Sequence, residues 1–478
     1  MIIVSPADRF DPHGAHIDDP AIRIEAPAPQ PDRAPPDLLY GLDDAPPLRL
    51  SLFVALQHVL AVFVGIVTPP LIIAKALSLP PADAIVLVSM ALLVSGVGTL
   101  LQTRRLGPVG AGLLSIQGTS FVFLGPIVAL AESVLASGGS KDAALGTVFG
   151  VCGAAAVVPM LLSPILGWAT RVITPLVTGI VVTLIGLTLV EVGITSVGGG
   201  FDAKHAGTFG SAENLGLALI VITLILLLNN SRRQGPRMLS VVAGLAGGYC
   251  VALAAGRVAF HDLQALPWFA VPRPLHYGLG FRATAVLPFA FLYVITAVES
   301  IGDITATSLL TGEPITGPRY LRRLRGGVLA DGITSLIAAV CNSFPSTTFA
   351  QNNGVIQLTG VGSRHIGTWV GAILIVLGLF PIVGGVLQAM PPAVLGGATI
   401  IMFGTVAVAG IKILSEVTMD RRASTIAALS FGLGLGVSVV PEITVSLPQV
   451  LRDLLASGVA TGGLCALLLN LVLPGRRA

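Results

Sequence analysis

Cys341-Asn-Ser-Phe-Pro345-Ser-Thr-Thr-Phe-Ala350-Gln-Asn-Asn-Gly-Val355-Ile-Gln-Leu-Thr-Gly360-Val-Gly-Ser-Arg364 lies deep in a chain of near-continuous apolar runs. It carries five carboxamides (Asn342, Gln351, Asn352, Asn353, Gln357), four hydroxyls before Ala350, a proline and several glycines. A straight membrane helix has no use for that composition. Unwound backbone at membrane depth persists only where it is packed in protein or lines a wet cavity. The stretch therefore reads as half of a substrate site, with a counterpart expected in the first half of the chain.

Working outward, the chain has 478 residues, 54% hydrophobic and only 11% charged, with 57 glycines. That is far from a soluble composition. Runs such as 84–101, 172–190, 215–228 and 366–386 approach the roughly 20 apolar residues that cross a bilayer core of about 30 Å. An all-α polytopic membrane protein with about fourteen spans is expected. The spans are 51–75, 84–102, 111–130, 144–163, 172–194, 215–231 and 238–257, then 285–310, 327–342, 345–360, 366–388, 394–412, 424–440 and 448–473. The third and tenth are short and polar, hence unwound or strand-like.

Charge placement sets the orientation. With a cytoplasmic N-terminus, one set of loops holds Arg104, Arg105, Arg171, Arg232, Arg233, Arg237, Arg319, Arg322, Arg323, Arg325, Arg364, Lys412, Arg421 and Arg422, with Arg476 and Arg477 in the tail. The opposite loops hold only Lys75, Lys141, Lys204, Arg257, Arg273, Arg282 and Arg452. This positive-inside asymmetry needs an even number of spans and puts both termini in the cytoplasm. No basic patch is interleaved with aromatics, so nucleic-acid binding is not indicated. The four cysteines (Cys152, Cys250, Cys341, Cys465) lack metal-ligand spacing and read as small buried hydrophobes. Residues 1–48, with ten prolines and no apolar core segment, read as a disordered cytoplasmic arm rather than a signal peptide. Its end, Leu38-Leu-Tyr-Gly-Leu-Asp-Asp44, can lie against the membrane face, and its function is left open.

Splitting fourteen spans into seven and seven aligns Gly118-Thr-Ser-Phe121 with Ser346-Thr-Thr-Phe349, both in a third span. Pro175-Leu-Val-Thr-Gly179 likewise aligns with Pro392-Ala-Val-Leu-Gly396 at the start of a fifth. An odd number of spans per repeat forces opposite orientations, hence an inverted repeat. Paired polar, Gly- or Pro-interrupted segments at matching positions point to a transporter's binding site.

The chemistry-bearing residues cluster around this pair. Glu299 and Asp303 sit four apart in Thr296-Ala-Val-Glu-Ser-Ile-Gly-Asp-Ile-Thr-Ala-Thr307, which puts both carboxylates on one helical face. Acids in the hydrocarbon zone are costly and mark function by default, so the pair is the candidate proton carrier; a pair at a helix end facing water is the plain alternative. Asp331 opens the next span just after the Arg319–Arg325 cluster, where a salt bridge and a functional role are both open. Glu191, Glu416 and Glu442 read as interfacial. His58, beside Gln57 in the first span, reads as a structural hydrogen bonder or as a support that orients the site. Gln117, Thr119, Ser120 and Phe121 on one side, and Ala350, Gln351 and Asn352 on the other, suit a planar heterocycle. Carboxamides read its edge, Phe121 stacks on its face, and free N–H groups at two half-helix N-termini add donors. Neither segment carries Lys or Arg, which disfavours a substrate recognised mainly as an anion.

At Gln351-Asn-Asn-Gly-Val-Ile-Gln-Leu-Thr-Gly360 the chain resembles the nucleobase–ascorbate transporter family, whose signature is Gln/Glu/Pro, Asn, any residue, Gly, four of any kind, Thr, then Arg/Lys/Gly. Gln57-His58, Ser115-Ile-Gln-Gly-Thr-Ser-Phe121, Glu299–Thr307 and Gly326-Gly-Val-Leu-Ala-Asp-Gly332 also match, over about residues 38–474. The resemblance implies a proton-coupled, dimeric nucleobase symporter of the inner membrane, with core and gate domains. The core is expected in 49–165 and 284–390, and the gate in 166–283 and 391–478. It implies that Glu299 and Gln351 hold the base, that Phe121 lies against the ring, and that His58, Asp303, Asp331 and Asn352 support binding or coupling. Gln351 with Gly360 resembles the bacterial purine branch, with xanthine the first choice and urate the second. Where some xanthine permeases have Asn in the third span, this chain has Ser120 or Val122. No cofactor or metal is expected, only the proton as coupling ion. Two rival readings stand beside it. An anion transporter of similar architecture would want cationic groups at the site, and an intramembrane aspartyl protease would want a second acidic motif.

Overall fold

The computed structural model describes residues 38–169, 174–233, 236, 239–258, 267–271, 273–448, 451–452, 455 and 457–473. The arm before residue 38 and the tail after 473 lie outside the described residues, with Arg171, Arg237, Arg476 and Arg477.

The helices in chain order are α1 (Leu48–Ala76), α2 (Pro81–Arg104), α3 (Leu124–Ala136), α4 (Lys141–Ala155), α5 (Val157–Ala169), α6 (Pro175–Val197), α7 (Gly200–His205), α8 (Ala212–Asn229) and α9 (Ser240–Ala254). They continue as α10 (Ala283–Leu310), α11 (Gly317–Val340), α12 (Gln351–Thr359), α13 (Arg364–Gly378), α14 (Pro381–Gln388), α15 (Pro392–Ser415), α16 (Arg421–Val439) and α17 (Gly458–Val472). The chain is an all-α multi-pass membrane protein. Among the described residues eight helical segments are long and apolar enough to cross a bilayer, α4 and α5 counting together as one. The pair α13 and α14, bent by 75°, makes a ninth. Helices beginning at Phe121, Ser240 and Gly458 are apolar but shorter, so the fourteen expected spans are not all straight crossings.

Two short strands interrupt this architecture where unwinding was expected. β1 (Gln117–Thr119) pairs antiparallel with β2 (Ser346–Thr348), with Gln117 opposite Thr348, Gly118 opposite Thr347 and Thr119 opposite Ser346. The ladder gives partners to backbone groups that have no helix to satisfy them, as membrane depth demands. Bonds from Ser120 N–H to the Pro345 carbonyl (2.8 Å) and from Phe349 N–H to the Ile116 carbonyl (2.9 Å) extend it at both ends. The matched tetrapeptides thus meet face to face.

The route into β1 depends on glycine. After α2 the chain turns back at Gly110, whose φ is +100° and whose absent Cβ would sit 2.1 Å from the Leu101 carbonyl oxygen. Gly118 is bare for another reason: the ring of Phe349 lies where a Cβ would be, 2.3 Å away. Elsewhere α6 and α15, both opened by a proline at their first turn, approach backbone to backbone. A Cβ on Gly186 would meet the Ala407 nitrogen at 2.2 Å, and one on Gly410 the Thr183 nitrogen at 2.3 Å. Small residues at such crossings let dispersion contacts accumulate where no hydrophobic drive exists between helices.

Three expectations need correction. Asp331 does not open a span: its helix starts at Gly317, with Pro318 in the first turn, and runs through the arginine cluster. The cluster pairs with another acid, Arg323 to Glu313 at 2.7 Å and Arg319 to Glu313 at 3.1 Å. Residues 38–47 are ordered against the rest of the chain rather than forming the end of a free arm. Of the cysteines Cys152 is buried as expected, whereas Cys250 is exposed.

Candidate functional site

The strands deliver two uncapped helix starts to one place. After β1, Ser120 precedes the 3-10 turn Phe121–Phe123 with no side-chain cap, and α3 follows. After β2, Ala350 precedes α12, again with no side-chain cap. Helix N-termini of this kind present N–H groups and partial positive charge to whatever lies before them.

Beneath the strands lies a closed polar network centred on Asp331, which is buried at 4% exposure. Gln117 Nε2 donates to its Oδ1 at 2.5 Å and Gln102 Nε2 to the same oxygen at 2.9 Å, while the Ser300 hydroxyl donates to Oδ2. Gln102 is held in turn by the Gly327 carbonyl (3.0 Å) and by the Ala111 N–H (3.0 Å). Ser346 donates to Gln117 Oε1 at 2.9 Å. Ser300 shares a 3.2 Å hydrogen bond with Thr347. Asp331 thereby joins α2, β1, α10 and α11. Three donors on one carboxylate meet the desolvation cost of burying it.

Asp303 belongs to the same assembly: the Thr348 hydroxyl donates to its Oδ2 at 3.0 Å. One turn further on, Thr307 donates to Asn353 Oδ1 at 2.7 Å, fastening α10 to α12. Glu299 interacts electrostatically with both Asp303 and Asp331, but its situation differs. Its Oε2 is buried without a hydrogen-bond partner. The Oγ of Ser120 shares that condition. His58 is fully buried beside Asn352, whose Nδ2 donates to the Leu114 carbonyl. An unmade hydrogen bond on a buried group costs about 1–3 kcal/mol. At the meeting of the broken segments, the unpartnered atoms of Glu299 and Ser120 leave hydrogen-bonding capacity that a ligand can complete.

The apolar side is defined by Phe121, half-buried, its ring edge-to-face with Phe403 of α15 at 5.2 Å and 82°. Ala350 and Gly354 are exposed although they sit at the broken segment, and Gln351 is half-buried with them. A cavity of about 370 Å³ reaches Phe121 from one face, passing Gly125, Leu189, Pro288, Leu292 and Val459, with Arg282 and Arg452 among its lining residues. The run of α3 beside it, from Leu124 to Ser133, is about 14 Å at the helical rise. A second cavity of about 500 Å³, lined by Lys75, Asn214, Arg257 and Met390 among others, shares none of the site residues.

Sequence reading missed Gln102 and Phe403. A glutamine in the last turn of an otherwise apolar span, next to Thr99 and Thr103, was a signal for the first. Phe403 offered none, being one apolar residue in an apolar helix.

Broken membrane helices that meet at an acid-lined, part-open polar centre define a solute carrier rather than an enzyme. Residues 49–443 match the Permease family that includes the xanthine and uracil permeases, and the chain belongs to it. The expected kinship with nucleobase transporters of the purine branch is thereby borne out. The chain is 47% identical to the xanthine permease XanP of Escherichia coli strain K12 over 439 residues, 92% of this chain and 95% of that protein. To the xanthine permease XanQ of the same strain it is 45% identical, covering 92% and 94%. In fold it is similar to the transmembrane domain of the cyanobacterial bicarbonate transporter BicA, with TM-score 0.54 and 17% identity over 86% of this chain and 97% of that one.

Proposed function

We propose that this chain is a proton-coupled symporter that imports a purine, xanthine foremost, through the bacterial inner membrane. The observation that carries the reading is the meeting of β1 and β2, which brings two uncapped helix starts together beside α10 and its unpartnered Glu299. Xanthine is favoured by identity to permeases named for it at 45–47%, and by a site built of carboxamide, hydroxyl and carboxylate groups with an aromatic face.

In this mechanism Glu299 accepts N–H donors of the purine while Gln351 reads another edge, and the N–H groups of the helix starts that follow Ser120 and Ala350 face its carbonyls. Phe121 packs against the ring, its own orientation set by Phe403. Asn352 and His58, buried side by side, support the binding or the coupling. Asp331, held by three donors, fixes β1 and α10 in register, and Asp303 does the same for β2. A proton accompanies the substrate, carried by the Glu299–Asp303 pair. Coupling requires that protonation favour one conformation or the loaded state.

The architecture we infer is fourteen spans in two inverted repeats of seven, with both termini cytoplasmic, in a homodimer. A core (49–165 and 284–390) rocks against a gate (166–283 and 391–478) to alternate access. The close approach of Gly302 on α10 to Thr178 on α6, 3.3 Å from an added Cβ to Cγ2, supports a core–gate contact on one side of the site. The cavity ending at Phe121 supports access from the other.

The test is uptake by proteoliposomes of labelled xanthine, urate, uracil and sulfate under an imposed pH gradient. Accumulation of xanthine driven by an inward proton gradient, with urate and uracil poorer and sulfate excluded, is expected. Sulfate transport, or accumulation indifferent to the gradient, would overturn the reading.

A further inference from the structure

Leu38–Asp44 crosses the loop that follows α12 and closes in a turn at Gly41–Asp44, and the contacts are dense. Leu39 N–H donates to the Gly360 carbonyl (2.8 Å), Gly362 N–H to the Tyr40 carbonyl (3.0 Å) and Arg364 N–H to the Leu42 carbonyl (3.0 Å). Tyr40 and Val361 form a parallel bridge. The Ser363 hydroxyl donates to the Asp44 carbonyl, and Arg364 pairs with Asp43 at 2.8 Å. Gly360, which ends α12 at φ +67°, leaves room for Leu39, which would lie 3.4 Å from any added Cβ.

The apolar side chains of this segment reach two different helices. Leu42, 6% exposed, packs in the cluster that contains Ile301 and Ile304 of α10. Leu38 and Tyr40 pack against the cluster that contains Ile356 of α12 and Val361. Glu299 lies two residues before Ile301 on α10, and Gln351 opens α12. We propose that Leu38–Asp44 is a positioning strap for the substrate site: it ties the end of α12 to α10 and so fixes Gln351 relative to Glu299. The strap touches no substrate and acts through the two helices it joins. Ordinary connecting segments have no reason to be bonded along their length to the loop that ends a half-helix. A nine-residue helix is too short to hold its own orientation, so its far end needs an external fixture.

The inference rests on the site proposed above, and its test separates the two. In the full chain without native cysteines, Leu42→Ser puts a hydroxyl into the apolar cluster that holds Ile301 and Ile304 of α10. The expected result is a KM for xanthine raised about tenfold, kcat per molecule kept within about twofold, and faster hydrogen exchange of the backbone at 352–360. A disulfide formed in Tyr40→Cys/Val361→Cys, which locks the strap to the loop it already bridges, is expected to leave otherwise native transport unchanged. The strap role is overturned by an unchanged KM and unchanged exchange at 352–360. It is equally overturned if Leu42→Ser lowers only the amount of protein in the membrane, or if the disulfide itself stops transport. Should the native chain move no purine, the functional reading fails, while the exchange measurement still decides whether the strap orders α12.

Discussion

Gln117 and Asp331, 214 positions apart, meet at 2.5 Å, the amide of the first broken segment donating to an acid on the helix before the second. The two halves of the chain are therefore joined by a charge-assisted hydrogen bond directly beneath the strand ladder. Removing the donor leaves the carboxylate with Gln102 and Ser300 only. Gln117→Ala is expected to lose about 1.5–3 kcal/mol, the usual contribution of a hydrogen bond to a charged group. Gln117→Glu would be worse, since it sets two carboxylates in contact. Thermal unfolding in detergent measures both, and a melting temperature unchanged in Gln117→Ala would deny the network its structural role.

The packing of Phe349 on Gly118 gives a second prediction. Gly118→Ala pushes a methyl into the ring, an overpacking that costs typically about 1–3 kcal/mol. The ring cannot retreat freely because it also lies 2.7 Å from the Cβ position of Gly65. Gly118→Ala should therefore abolish uptake, and Phe349→Leu in the same chain should recover part of it. Failure of any such second-site recovery would mean that the strand tolerates no change for another reason.

Gly302 separates binding from movement. A leucine there meets Thr178 across the proposed core–gate contact without adding a group to Glu299 or Gln351. Xanthine Kd, measured by equilibrium binding, is expected to stay within about threefold, while kcat for uptake falls at least tenfold, roughly 1.4 kcal/mol or more of barrier. A parallel loss of binding would place Gly302 in the site itself.

Glu299→Gln keeps the shape of the side chain and removes its proton chemistry. Accumulation of xanthine against its gradient should vanish, and with it the stimulation by an inward proton gradient. Proton-driven accumulation that survives in this variant would remove Glu299 from the coupling mechanism.

What could be read from the chain alone followed from composition at fixed places. Polar residues in the third and tenth spans forecast broken segments, and the ladder of Gln117–Thr119 with Ser346–Thr348 shows them unwound and meeting each other. The spacing of Glu299 and Asp303 put them on one face, and both engage the centre of the molecule. The partners of Asp331 were not legible, because Gln102 lies 229 positions away and nothing local specifies a contact at that separation. Its helix start was misplaced because charge around Arg319–Arg325 masked the stronger local signal, Gly317-Pro318, at which helices begin. The attachment of residues 38–44 to the loop after α12 was not legible, because a segment held through its backbone leaves no periodic trace in its side chains.

A structure of the purified protein with xanthine bound decides the matter most directly. The purine should lie between the helix starts at Phe121 and Gln351, with Glu299 Oε2, unpartnered here, within hydrogen-bond distance of a ring N–H. Xanthine bound elsewhere, with Glu299 turned away from it, would contradict the site proposed for this permease.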